Sequence, residues 1–373
     1  MISRLVLLAI ATAGLLGVPS NVFANDPSMS LQTSSFGKTP DGQQVTKYTL
    51  TNAAGHHFSV MNYGATLLDV NVPDRDGKLA NVNLAFDTLE DYLGKHPYFG
   101  STVGRFCNRI EKGQFEIDGT HYQVTVNLGE HHIHGGETNF THQFWTAETS
   151  VTDDATTVTF RLTSPDGQEG YPGTVHASVT YGWNQDSEMT IEFTATTDQP
   201  THVNLCNHSY WNLAGAGSGS AMKQVMQIEA DQSLDVDDAL IPTGKLNSVA
   251  GTVLDFRGPT PLGDRVDQLP ATKGYDHCFV VRGEPGTLRP AARVFDPDSG
   301  RAMEVLTTQP GMQLYTANHL PGNERSAGAG SHDAFCVETQ HYPNAPNRPS
   351  FPTTLLRPGQ TLKETTVHRF AVQ

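Results

Sequence analysis

Alternation of apolar and polar residues at period two runs through this chain, while helical periodicity is weak everywhere. Successive side chains of a strand point to opposite faces, so this period marks strands with one face buried. Thr157-Val158-Thr159-Phe160-Arg161-Leu162 predicts one strand. Val175 to Trp183 and Met189 to Thr197 predict two more, joined by the hairpin loop Asn184-Gln185-Asp186-Ser187. Val70-Asn71-Val72-Pro73 runs into the turn Asp74-Arg75-Asp76-Gly77, and Phe115-Glu116-Ile117 runs into Asp118-Gly119, a type I′ pair. Leu89 to Leu93 predicts a single short helical turn. The 35 Gly and 22 Pro fit many turns between short strands. No period of about 20–50 residues marks a solenoid or propeller. Ala214 to Ala221 and Ala327 to Ser331 read as loops rather than linkers, because strand patterning resumes on both sides. The expected fold is all-β: one large antiparallel β-sandwich, most simply of two curved sheets, with few short helices.

The first residues are read apart from this fold. Arg4 is the only charge before Asp26, and it precedes an apolar run from Leu5 to Leu16 followed by Val22-Phe23-Ala24. A basic start, a short apolar stretch and small residues before a cut describe a secretory signal peptide over residues 1–24. The run falls short of the ~20 apolar residues a membrane span needs. A buried helix there would have no polar face to turn to water. Cleavage leaves residues 25–373, which is 373 − 24 = 349 residues, as a single domain exported to the periplasm or secreted. No Cys follows the run to carry a lipid anchor, and no later stretch is long and apolar enough to span a membrane.

Charge narrows the partners. With 24 Lys plus Arg against 39 Asp plus Glu, the formal net charge is −15, and it becomes −16 (23 − 39) once Arg4 is removed. An acidic chain is poorly suited to nucleic acid or to an anionic membrane surface. Only 17% of residues are charged, against roughly a quarter in an average domain, and 37% are hydrophobic, enough for a sizeable core.

Six dense polar clusters interrupt the strand pattern. They are Gly104 to Ile110, His131 to Gly136, Asn204 to Asn212, Tyr275 to Phe279, Gly311 to Tyr315 and Phe335 to His341. Asn, Arg, Asp and His beside Trp, Tyr and Phe suit a sugar, whose hydroxyls take hydrogen bonds and whose C–H patches meet aromatic faces. The His132-x-His134 pair has the look of a metal site, but Gly135-Gly136 follows directly and no carboxylate or Cys falls at a zinc spacing. His208, set between two Asn and an aromatic pair, reads as a site residue rather than a core histidine. Glu338 lies in the otherwise apolar run Ala334-Phe335-Cys336-Val337, where a carboxylate is either paired structurally or functional. Asn207-His208-Ser209 and Asn139-Phe140-Thr141 match the glycosylation sequon, but the motif is common by chance. Gly215-Ala216-Gly217-Ser218-Gly219 lacks dinucleotide-binding spacing.

Taken in order, these pieces resemble the aldose 1-epimerase (galactose mutarotase) family. The matching pieces are Pro97-Tyr98-Phe99-Gly100 through Gly104, Asn108-Arg109-Ile110, His134-Gly135-Gly136, and Asp166-Gly167 through Gly170-Tyr171-Pro172-Gly173. They continue with Asn207 to Leu213, Leu254-Asp255-Phe256, Tyr275-Asp276-His277, Gln313-Leu314-Tyr315-Thr316, Glu338-Thr339-Gln340 and Arg357-Pro358-Gly359. The resemblance implies a mutarotase-like β-supersandwich with the sugar in an open cleft on one sheet. It implies His208 as general acid and Glu338 as general base, with Asn108, Arg109, His134, Tyr210, Asp276 and Gln313 as sugar-contacting positions. It implies acid–base interconversion of the α and β anomers of free hexoses, glucose or galactose, with no metal or redox cofactor. The partner is then the small sugar alone, with neither nucleic acid nor membrane, and the protein a monomer or homodimer. Departures from the family pattern are His131-His132 and Ile133 before His134, and Ala317 and His319 after Tyr315.

Other classes make different demands on the residues. A hexose-phosphate epimerase of related fold would need additional Arg or Lys for the phosphate. A glycosidase would need two acidic groups flanking the bond. A non-catalytic sugar-binding module would not need His208 and Glu338 as a pair. Finally, Cys107, Cys206, Cys278 and Cys336 each lie two residues from a proposed site residue, so in extended segments each thiol would share a face with its neighbour. Four Cys permit three complete disulfide pairings, and free thiols are favoured because a large core does not need the cross-links.

Overall fold

Ala155–Ser164, Val175–Asn184 and Glu188–Thr197, the three strands with the clearest alternation, pair antiparallel in chain order as a meander. The computed structural model describes residues 28–373, so the signal-peptide expectation for residues 1–24 lies outside the described residues. Along the meander Val158, Phe160, Val179, Tyr181, Ile191 and Phe193 are buried, and their alternating neighbours are more exposed. Thr146–Val151 pairs on one side of the meander and Leu362–Val372 on the other. Arg301–Thr307, Arg289–Phe295, Val225–Ile228 and Thr260–Pro261 complete a nine-stranded sheet.

Two five-stranded sheets face it. One is built in chain order from Ser30–Lys38, Gln44–Thr51, His57–Met61, Thr66–Pro73 and Leu79–Asn81. The other runs in the order Pro242–Ser248, Ala230–Val236, Asp276–Val281, Gly311–Tyr315, Cys336–Gln340. Both touch the large sheet: the Tyr48 and Phe160 rings meet at 5.7 Å, and the Thr339 and Thr366 hydroxyls lie 2.6 Å apart. A continuous apolar core takes residues from all three sheets. The sandwich is therefore richer than two curved sheets. A twisted open layer becomes hard to extend as it widens, and here one layer is divided into two.

Local chemistry sets the joints. Asp118 and Gly119 both have positive φ, 51° and 82°, as a type I′ hairpin between Gln114–Ile117 and Thr120–Gln123 requires. Leu89–Leu93 is a one-turn α-helix that buries Leu89 and Tyr92. No helix among the described residues is long and apolar enough to cross a membrane.

Strand parity decides where a site can sit. In the second five-stranded sheet Phe279, Val281, Met312, Leu314 and Val337 enter the core. The alternate positions Cys278, Gln313, Tyr315, Cys336, Glu338 and Gln340 therefore project from the opposite face. That face is polar, and the loops described next cover it.

Candidate functional site

Three adjacent strands form the floor. Gln313 pairs with Glu338 on one side and with Cys278 on the other; at the next position on the same face, Tyr315 pairs with Cys336 and Asp276. Segments around residues 93–98, 108–109, 127–142 and 208–210 form walls, leaving a cleft of about 770 Å³. Asn108, Arg109, His134, His208, Tyr210, Asp276 and Glu338 all line it. Gln313 does not: it is 3% exposed and sits behind Asp276, donating from Nε2 to Oδ1 at 2.6 Å.

His208 Nε2 and Glu338 Oε2 stand 3.6 Å apart, and both residues are buried. Burial disfavours either charge. It pushes Glu338 up to about 8, aided by the nearby Asp276 carboxylate and opposed by the Cys206 thiol and Arg109. It pulls His208 down to about 4, against weaker upward effects of its backbone hydrogen bond and of Asp276. The His208 ring is flanked by Tyr210, near-parallel at 5.1 Å, and by Tyr98, near-parallel at 5.9 Å. Cys336 Sγ lies 3.7 Å from Nδ1, so the ring is fixed on that edge and presents Nε2 to Glu338.

A second set of side chains brings hydrogen-bond donors and acceptors to the cleft. Arg109 Nη2 lies 3.5 Å from Asp276 Oδ2, and Nη1 donates to Asn108 Oδ1 at 3.3 Å. Arg109 Nε is buried and has no protein partner, so a donor there is left over. The Asn108 backbone amide donates to His134 Nδ1 at 3.2 Å, which leaves Nε2–H as the donor a neutral His134 offers. Burial holds His134 neutral well below its ordinary range, with His208 and Arg109 acting in the same direction. Backbone strain gathers here. Tyr98, Asn108 and His134 have φ of 64°, 62° and 52°, a region most side chains avoid. A Cβ on Gly135, itself at φ +84°, would collide with the Gly104 carbonyl oxygen, so only glycine lets the chain turn after His134.

Several residues join the site without having been singled out as site positions. Tyr98 lies in the Pro97-Tyr98-Phe99-Gly100 motif, yet nothing in that motif announces a ring stacked on His208. Tyr315 and His319 line the cleft, so His319, a departure from the family pattern, does reach it. The His131-His132 departure does not. His132 donates from Nδ1 to the Thr125 carbonyl at 2.6 Å and accepts from the Tyr171 hydroxyl at 2.7 Å, while His131 accepts from the Lys112 amide. Both nitrogens of His132 are thus committed, and His132-x-His134 cannot act as a metal pair. The Nδ1, Nε2, Sγ or carboxylate atoms of His208, Cys336 and Glu338 lie within 4.8 Å of one another. The thiol and carboxylate, however, meet opposite edges of the imidazole, a poor arrangement for one shared ion.

The sequon asparagines serve the fold. Asn139 is 1% exposed and caps the turn Phe140–His142, and Asn207 donates to the Gly100 carbonyl and to Tyr181. All four cysteines are buried, free thiols. Cys278 and Cys336 share a face with Asp276 and Glu338 as strand parity requires. For Cys107 and Arg109 the expected alternation fails, because Asn108 between them takes positive φ.

The chain is similar to known proteins over nearly its whole length. The family model for aldose 1-epimerase matches residues 46–369. A galactose mutarotase from Bos taurus is 41% identical over 347 residues, 92% of this chain and 99% of that protein. An aldose 1-epimerase from Escherichia coli (strain K12) is 33% identical over 341 residues, 90% of this chain and 97% of that protein. Among solved structures, a galactose 1-epimerase from Lactobacillus acidophilus NCFM superposes with a TM-score of 0.83 at 29% identity, covering 92% of this chain and 99% of that one.

Proposed function

The chain belongs to the aldose 1-epimerase family, isomerases that interconvert the anomers of hexoses, and from that premise we propose that His208 and Glu338 carry the reaction on glucose and galactose. The observation that carries this assignment is the buried acid–base pair, 3.6 Å apart, in a cleft whose lining also carries Asn108, Arg109, His134 and Asp276 as hydrogen-bonding groups.

The protons balance as follows. A closed hexose binds while Glu338 is a carboxylate and His208 an imidazolium. Glu338 takes the proton of the C1 hydroxyl, the bond from C1 to the ring oxygen breaks, and His208 protonates that oxygen. The products are the open aldehyde, a neutral carboxylic acid and a neutral imidazole. Rotation about C1–C2 exposes the other face of the carbonyl, and the same two groups return their protons to close the ring. The pair holds one proton throughout, merely relocated, so neither group needs to become a nucleophile. Burial favours the uncharged form of both groups, and that is the form they hold when the sugar is open. The same desolvation that disfavours the starting ion pair therefore favours the ring-opening step. Arg109, Asp276, His134 and Asn108 hold the remaining hydroxyls so that C1 falls between acid and base. Such positioning supplies several kcal/mol of a barrier.

Polarimetry of fresh α-glucose and α-galactose with purified protein tests the assignment. Acceleration by the wild-type chain and its loss in His208→Ala and Glu338→Gln is the expected result. Retention of near-wild-type rates in either variant overturns it. We further read residues 1–24 as a cleaved export signal and 25–373 as one catalytic domain acting in the periplasm or outside the cell. An N-terminus beginning near Asn25 on the exported protein is expected, and an intact Met1 or Ile2 start overturns that reading. We read the protein as a monomer or a homodimer, which light scattering of the purified protein distinguishes.

A further inference from the structure

A shell of thiols lies beneath the cleft, and one of them touches the proposed base. Cys206 Sγ sits 3.8 Å from Glu338 Oε2, the same oxygen that faces His208, as the thiol donor in a sulfur hydrogen bond. The neighbouring Cys107 directs its own hydrogen elsewhere, donating to Gln340 Oε1 at 3.1 Å. Cys206 is fully buried with Val103 and Cys107, and the short strand Cys206–Asn207 pairs with Thr102–Val103. The thiol is therefore held by backbone two residues before His208, and its other side-chain partner, the Cys107 thiol, is neutral where Glu338 is a carboxylate. Glu338 Oε1 takes no hydrogen bond from the described residues, while Glu338 lines the cleft.

We propose that Cys206 is a positioning residue for the base: its S–H anchors Glu338 Oε2, so that the carboxylate stays oriented and Oε1 is left to take the proton of the C1 hydroxyl. The proposal rests on Glu338 being the base. Electrostatics agrees with the geometry. Burial holds the Cys206 thiol protonated, well above its ordinary range, so it remains a donor at neutral pH. Of the groups acting on Glu338, the Cys206 hydrogen bond is the foremost one favouring the carboxylate, with Arg109 next, against burial and Asp276. The other titratable groups around the carboxylate are His208, the thiols of Cys107, Cys278 and Cys336, and the phenols of Tyr210 and Tyr315. The buried thiols and phenols are all pushed upward, so they stay neutral and leave Cys206 as the thiol in hydrogen-bond contact with the base.

The test compares Cys206→Ala, Cys206→Ser and Glu338→Gln by polarimetry across pH. Cys206→Ala is expected to lower kcat by about threefold to tenfold with KM little changed, the scale of one lost ordinary hydrogen bond, because a thiol is a weak donor even toward a carboxylate. Its loss also raises the proton affinity of Glu338, so the alkaline limb of the kcat/KM profile should move to higher pH. Cys206→Ser, which keeps a donor, should restore both rate and limb. Equal behaviour of the Ala and Ser variants, or an unmoved alkaline limb, overturns the proposal. A Glu338→Gln protein that stays active would instead overturn the assignment of the base, so the two failures are distinct. Should Cys206→Ala not fold, Raman difference spectra of wild type against Cys206→Ser identify the Cys206 S–H stretch. That band should shift in Glu338→Gln, and an unshifted band overturns the proposal.

Discussion

His208 Nε2 and Glu338 Oε2 face each other at 3.6 Å, and burial moves their proton affinities in opposite directions, to about 4 and about 8. The order is the reverse of that in water, where the carboxyl is the stronger acid. The pair therefore holds a single proton across a wide pH range. Below about 4 both groups are protonated and no base remains; above about 8 both are deprotonated and no acid remains. A bell-shaped kcat/KM profile with limbs near pH 4 and pH 8 is expected, each limb belonging to the pair rather than to one residue. A rate still climbing steadily above about pH 9 would show that ring-oxygen protonation does not depend on this pair.

Removing either member should cost far more than removing a group that only holds the sugar. His208→Ala and Glu338→Gln are each expected to cut turnover by ~10²-fold or more. Circular dichroism should remain that of wild type if the loss is chemical. The double variant should be little worse than either single one, since acid and base act on one bond in one step. Independent, multiplying losses in the double variant would argue for separate roles.

Much of this site could be read from the chain because its groups cluster in short segments. Asn108-Arg109, His134-Gly135-Gly136 and Asn207-His208 each bring polar atoms and tight turns together within a few residues. Period two located the strands, and its parity explains why Glu338 faces the cleft while Val337 enters the core. What could not be read are relations between segments far apart in sequence. The contact of Cys206 with Glu338 spans 132 positions, and Gln313 reaches Asp276 across 37. The division of one layer into two five-stranded sheets depends on which edges pair, and strand patterning alone carries no such information. Positive φ at Asn108 likewise depends on the surroundings, for Asn also sits in ordinary turns and strands.

The Arg109–Asp276–Gln313 chain should divide kinetic effects by position. Arg109 and Asp276 line the cleft, whereas Gln313 sits behind Asp276, donating to its carboxylate and accepting from Gln340. Arg109→Ala is expected to raise KM at least as strongly as it lowers kcat, because it removes the proposed sugar contact together with a charge that acts on Glu338. Gln313→Ala frees the Asp276 carboxylate to rotate and should raise KM by a smaller factor, about threefold to tenfold, the scale of one lost hydrogen bond. Kinetics unchanged in Arg109→Ala would remove it from the site. A Gln313→Ala defect larger than that of Asp276→Ala would mean that Gln313 itself meets the sugar.

Gly135 is a sharply constrained backbone position beside the site. With φ at +84° and the Gly104 carbonyl oxygen standing where a methyl group would need to go, Gly135→Ala must move backbone rather than a side chain. A loss of at least about 2 kcal/mol of stability is expected in a urea titration, with activity falling further than stability alone explains because His134 is displaced. A variant as stable as wild type would show that the turn relaxes freely.

Acid should unfold this protein earlier than its surface charge suggests. Burial holds His96 near 3, His132 near 4, His202 near 4 and His368 near 3, and His208 near 4 adds a fifth. Each is depressed below its unfolded value of about 6.5, so below that value the unfolded chain binds protons that the folded chain refuses. Stability therefore falls as pH drops from about 6.5 toward 4, by up to about 1.4 kcal/mol per pH unit for each histidine. Glu338 has the opposite sign. Its folded value, about 8, lies above its unfolded one, so between about 4.5 and 8 it adds stability as pH falls and offsets one histidine. Of these five, four remain in excess, and His134, which burial also holds well below its ordinary range, adds to them, enough to dominate a marginal fold. Melting curves from about pH 7 to about pH 5 should show a steep fall in Tm. His368→Phe, which keeps a ring against Trp211 without a titratable nitrogen, should flatten that slope. A Tm independent of pH over this range would mean that these rings take up protons without cost in the folded state.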